Sequence, residues 1–241
     1  MGASNSKFAK INGCFIMNWI IRTFTSTLGR KFVMSLTGLF LCSFLVIHLV
    51  GNFQLFKSDN GLAFNDYSHF MTHNPIIAIL EWGLLIGFLI HILQSVVLTI
   101  QNRKARPVKY IANKPAKNST WYSRNMGIMG AIILVFLVIH LRNFFFETRF
   151  TDYKHVDSAG MKDYYYEVVE VFKNGWYVAL YVVSMAILAF HLLHGFQSAF
   201  QSLGLKHPKY SPLINAVGLI FSIVVPLGFM AMPLYFYFIK Q

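Results

Sequence analysis

The sequence predicts an all-α integral membrane bundle of five transmembrane helices, with the N-terminus cytoplasmic and the C-terminus outside. Three observations carry that prediction. The 241 residues are 56% hydrophobic and only 12% charged, whereas a soluble domain carries about 25% charged residues. Five long apolar runs occur at about 32–55, 76–101, 126–146, 176–200 and 213–239, each near the ~20 residues that cross a hydrocarbon core as a helix. None alternates with period two, so a membrane barrel is not expected.

The elements follow in order. Helix one leaves a basic N-terminal segment (1–31) and opens the transmembrane domain (32–241). It carries Ser35, Gly38 and His48. Helix two returns with Glu81, Gly87 and His91, and helix three runs outward from Arg124 with Gly127, Gly130 and His140. Helix four returns with His191, His194 and Gly195. Helix five has no histidine but contains Pro226 and Pro233. In the outer connection between helices three and four, KDYYYEVVEVF (162–172) is expected to form a short interfacial helix.

Lysine and arginine set the orientation. Five precede helix one (Lys7, Lys10, Arg22, Arg30, Lys31), seven join helices two and three (Arg103, Lys104, Arg106, Lys109, Lys114, Lys117, Arg124), and Lys206 and Lys209 join four and five. These three segments contain no acidic residue. The net charge of +12 thus reads as a positive-inside bias and a face for anionic lipid or a partner protein. No stacking or groove-reading pattern supports nucleic acid. Cys14 and Cys42 form no disulfide framework, redox pair or covalent haem motif. The opening MGASNS contains the myristoylation pattern at Gly2 and Ser6, which is too short to support the assignment. Met17 is an alternative start, because residues 1–16 contribute no recognisable element.

The nine histidines divide by depth. His69, His73, His155 and His207 lie in connections. At ~1.5 Å rise per residue, His48 (17 residues past Lys31) and His140 (16 past Arg124) are level in the outer half. His91 (15 past Ile76) and His191 (15 past Trp176) are level in the inner half. A lone intramembrane histidine can be a hydrogen-bonded core residue, but four levelled in pairs call for a function. A zinc or proton site would gather ligands at one depth and recruit carboxylates, and Glu81 is the only acid within a run. Opposed imidazoles suit the iron of a b-type haem, held on both sides and adapted to carry electrons. Gly87, four residues before His91, and Gly195, four after His191, would relieve crowding near the ligands, as would Ser35, Gly38, Gly127 and Gly130. The same residues could simply let helices pack closely.

SLTGLFLCSFLVIHLVGN (35–52), the His91 helix, VFLVIHLRNFF (135–145) and FHLLHGFQSAFQSLG (190–204) together resemble the single-chain, five-helix, dihaem cytochrome b subunit of succinate dehydrogenase or fumarate reductase. The resemblance covers about residues 30–238 and rests on helix count, histidine order and local motifs. It implies two haem b groups, the outer on His48 and His140 and the inner on His91 and His191. The family's H-x-x-x-G fits His191 with Gly195 and leaves His194 beside the site rather than on the iron. The resemblance also implies a membrane anchor, an electron-transfer part of the enzyme without a succinate site of its own. Flavoprotein and iron–sulfur subunits would dock on the cytoplasmic face, with menaquinone as the expected lipid quinone and a bacterial cytoplasmic membrane as the location.

Arg30, Lys31, Arg103 and Arg124 are candidates to balance inner propionates, and Arg142 the outer ones. Glu81 and Asn52 are the leading quinone candidates among outer polar residues that include Gln54, Tyr67, His69 and His73. Some relatives carry a glutamate, linked to proton passage, two residues before the fourth-helix ligand. Ala189 stands there, so a proton path through that position is not expected. The alternatives are a dihaem cytochrome b of a hydrogenase or formate dehydrogenase, and a non-haem scaffold or transporter with structural histidines.

Overall fold

The computed structural model describes residue 22, residues 24–105 and residues 119–240. Expectations resting on Gly2, Ser6, Cys14, Met17 and the lysines and arginine at 7, 10, 106, 109, 114 and 117 fall outside them. The chain is an all-α integral membrane protein with five helices long and apolar enough to span a bilayer. They are Thr27–Phe56, Pro75–Lys104, Met126–Phe150, Gly175–Ser202 and Ser211–Phe238, called the first to fifth spans below. The shortest has 25 residues, or roughly 37 Å of helix.

Local chemistry fixes where the spans begin. The Ser26 hydroxyl accepts from Gly29 N at 3.0 Å to start the first. The Asn74 amide oxygen accepts from Ile76 N at 2.9 Å, with Pro75 in the first helical position, to start the second. Asn174 does the same for the fourth through Trp176 N. Each cap satisfies a backbone donor that a helix start leaves unpaired. Pro226 and Pro233 sit inside the fifth span, both fully buried. The backbone bonds they remove are therefore screened from lipid by neighbouring helices.

The fourth span is central. It packs on the first, third and fifth spans, while the second lies mainly against the first and touches the third little. The outward faces carry large apolar side chains such as Ile79, Trp82 and Leu93, each more than 60% exposed. That surface fits a hydrocarbon solvent and would be untenable in water.

At the outer rim, Tyr164–Phe172 forms the expected interfacial helix. A second rim helix, Leu62–His73, was not anticipated; it takes in both His69 and His73. Gly61 begins it at φ +87°, a conformation that favours glycine, with the Tyr165 ring packed on its Cα. Asn65, 1% exposed, joins the two rim helices. Its amide donates to Asp163 Oδ1 and accepts from Tyr165 N, each at 2.9 Å. Asn65→Ala leaves the Tyr165 N–H without its acceptor and Asp163 Oδ1 with Tyr166 N alone, and is expected to cost about 2 kcal/mol. This would appear as a lower melting temperature in detergent with unchanged helical content.

The third span differs most from expectation. Its regular helix ends at His140, widens into a π-turn over Leu141–Phe146, and resumes over Glu147–Phe150. The wider turn carries Asn143 into the interior at 2% exposure. Such turns are frequent at functional sites.

Candidate functional site

The first and third spans bring His48 and His140 together edge-on in the outer half, with ring centres 5.9 Å apart and planes at 84°. Aromatic side chains wall them in. Phe44 stacks on His48 at 5.1 Å and Phe229 of the fifth span lies at 5.5 Å. Phe136 and Phe144 flank His140 at 5.6 and 5.3 Å. The Tyr181 hydroxyl of the fourth span lies 3.3 Å from His140 Nδ1. The Asn52 amide nitrogen donates to the His48 carbonyl at 2.7 Å and is 3.4 Å from His48 Nδ1.

In the inner half, His91 points at the first span. The ideal Cβ position on Gly38 is 3.4 Å from its Cε1, and Thr37 Oγ1 is 3.3 Å from its Nδ1. His191 points at the third span, 3.9 Å from the Cβ position on Gly130. The rings of His91 and His191 are not in mutual contact as the outer pair's are.

Does this arrangement fit a porphyrin iron? Two metal–imidazole bonds of about 2 Å, with ~1 Å more from each nitrogen to its ring centre, separate the centres by about 6 Å. The outer pair has that spacing. All four imidazoles are only half-buried although they lie deep in the bundle. No Nε2 among them is hydrogen-bonded to the described residues, nor sealed among the buried polar atoms that lack a partner. The nitrogen that would bind metal is thus accessible in each. Among the described residues, no three His, Cys, Asp or Glu side chains come together, so the donors are grouped in twos. Donor chemistry, spacing and access fit one bis-imidazole group at His48 and His140; His91 and His191 share the donor chemistry and the access, on the other two of the first four spans.

The remaining candidates divide. Gly195 faces open space, as relief for a bulky group requires, whereas the notch beside Gly87 is filled by the Phe40 ring at 3.2 Å. Gly87 therefore seats a side chain of the first span instead of opening the ligand face. Ser35 is buried, with its hydroxyl donated to the Lys31 carbonyl at 2.8 Å. His194 lies near Tyr122, ring centres 6.3 Å apart. Arg142 is exposed and reaches Glu147 at 3.9 Å and Asn143 Oδ1 at 3.4 Å.

Glu81 is ion-paired with Arg149 at 2.9 Å. The pair ties the second span to the third at the outer end, which gives a carboxylate within a span a structural reason. Nearby, Asp66, His69, His73, Asn74 and Met161 line an open groove of about 430 Å³, within the size range of small-molecule sites. The His69 and His73 rings stack there at 4.0 Å. On the same rim, burial and then the Glu147 charge hold the Glu167 carboxyl above its ordinary range, opposed by Arg142 and His155.

Thr37, Tyr181 and Arg149 were not singled out from sequence. Thr37 had a signal: it precedes His48 by eleven residues, three helical turns on the same face. Tyr181 and Arg149 act across spans and had none. No family model, curated protein or solved structure matches the chain.

Proposed function

We propose that the chain is a dihaem cytochrome b, the membrane anchor and electron-transfer subunit of a succinate:quinone oxidoreductase. The observation that carries the reading is the opposed His48–His140 pair at 5.9 Å, set above a second histidine pair on the two alternate spans. When bound, a bis-histidine haem supplies one-electron transfer without an open iron position. The chain's own task is to hold the ligands. The first and third spans present His48 and His140, and the second and fourth present His91 and His191. Phe44, Phe136, Phe144 and Phe229 pack around the outer pair.

The basic end, with Arg30, Lys31, Arg103, Arg124, Lys206 and Lys209, would receive an iron–sulfur subunit and, through it, a flavoprotein that handles succinate or fumarate. This chain would contribute no succinate site. At the other end, where all nine acidic residues lie, a lipid quinone, menaquinone in this reading, would exchange electrons and protons. Asn52 beside His48 and Glu81 beyond the rim groove are the proposed quinone contacts. A bacterial cytoplasmic membrane is the proposed location.

Mild-detergent isolation from native membranes tests the assignment. The expected result is co-purification with a flavoprotein and an iron–sulfur protein, and haem bands reduced by succinate. Reduction by hydrogen or formate, with different partner subunits, would move the chain to another respiratory complex.

A further inference from the structure

We propose that Thr37 and Tyr181 are positioning residues, each accepting the Nδ1 proton of one histidine that would hold a haem: Thr37 for His91 at the inner level, Tyr181 for His140 at the outer. The proposal rests on the dihaem reading above and goes beyond it by naming what orients the ligands.

The proton count at Thr37 gives the direction. A hydroxyl has one proton, and Thr37 Oγ1 donates it within its own helix, to the Val33 carbonyl at 2.9 Å or that of Met34 at 3.1 Å. With that proton kept in its own helix, the oxygen is an acceptor toward His91 Nδ1 at 3.3 Å. Nδ1 must hold the ring proton, and Nε2 is the bare nitrogen that can bind metal. Gly38, the next residue, lets the imidazole lie close against the first span at 3.4 Å. Tautomer and ring orientation are fixed together.

At the outer level the acceptor comes from the fourth span. Tyr181 is 6% exposed and its ring is held by Phe136 at 4.9 Å and Phe172 at 5.0 Å. Its hydroxyl therefore has a defined place, 3.3 Å from His140 Nδ1. With Nε2 given to metal, Nδ1 is the protonated nitrogen and the phenol oxygen is its acceptor. The π-turn that begins one residue after His140 brings the buried Asn143 amide toward the same hydroxyl, though outside hydrogen-bond geometry. In both cases a helix other than the ligand's own supplies the acceptor. Accepting an imidazole N–H makes the other ring nitrogen more basic, which favours oxidised over reduced iron.

The test uses the purified, haem-loaded chain, with each haem identified by its loss in His91→Ala or His140→Ala. Thr37→Val keeps the side-chain shape and removes the oxygen; Tyr181→Phe keeps the ring and removes the hydroxyl. Thr37→Val is expected to raise the midpoint potential of the inner haem alone and weaken its retention roughly 10- to 100-fold. Tyr181→Phe should do the same to the outer haem alone. Thr37→Ser restores the acceptor and should restore the potential. A variant that shifts neither haem, or both equally, overturns the proposal. So does Phe172→Leu, which disturbs the Tyr181 ring but keeps its hydroxyl, if it moves the outer potential as far as Tyr181→Phe. An unmodified chain that binds no haem overturns the dihaem reading and this proposal with it. Two haems that every variant leaves unchanged overturn this proposal alone.

Discussion

Alanine at His140 is expected to leave the chain with one haem per polypeptide, cutting the reduced-minus-oxidised haem absorbance to about half of that of the unmodified bis-histidine chain. The ring of His140 lies 5.9 Å from that of His48, so in the dihaem reading each would supply one of the two ligands to a shared iron. Losing either leaves the other among Phe44, Phe136 and Phe229 with no second imidazole. His48→Ala should therefore give the same spectrum as His140→Ala, and the double variant should lose no more than either one. The inner ligands are on different spans and should keep their haem. Pyridine haemochrome analysis of the purified variants checks this. Retention of two haems in either single variant would show that the pair does not share an iron.

At the inner level, His91→Ala or His191→Ala should remove the other haem, while His194→Ala should keep it. The two fourth-span histidines are three residues apart, so they project about 60° apart around the helix and at different heights. His191 faces Gly130 of the third span. His194 lies near Tyr122, at the start of the third span. In the assembled complex, loss of the inner haem should abolish succinate-dependent reduction of the outer one. Loss of the inner haem in His194→Ala, with retention in His191→Ala, would reverse the assignment.

These expectations show what a linear sequence can carry. The five spans were legible because lipid demands long apolar runs, and the bounds shifted by only a few residues at most ends. The meeting of His48 with His140 was legible because helical rise converts residue count directly into depth. The partners of the ligands were not. Tyr181 lies 41 positions from His140 and Arg149 lies 68 from Glu81, and no local pattern announces either contact. Gly87 shows the limit most clearly. Its spacing from His91 places a notch near the ligand, yet Phe40 of the neighbouring span occupies that notch. The π-turn after His140 has no proline or glycine in LRNFFF to mark it. The rim helix Leu62–His73 escaped because its mixed polar and aromatic sequence lacks a long apolar run.

The most direct measurement is the haem content and visible spectrum of the purified, folded chain. Two low-spin b-type haems per polypeptide are predicted, separable in a potentiometric titration. A folded, helical and colourless protein that takes up no added haem would contradict the account, and the four histidines would then be structural.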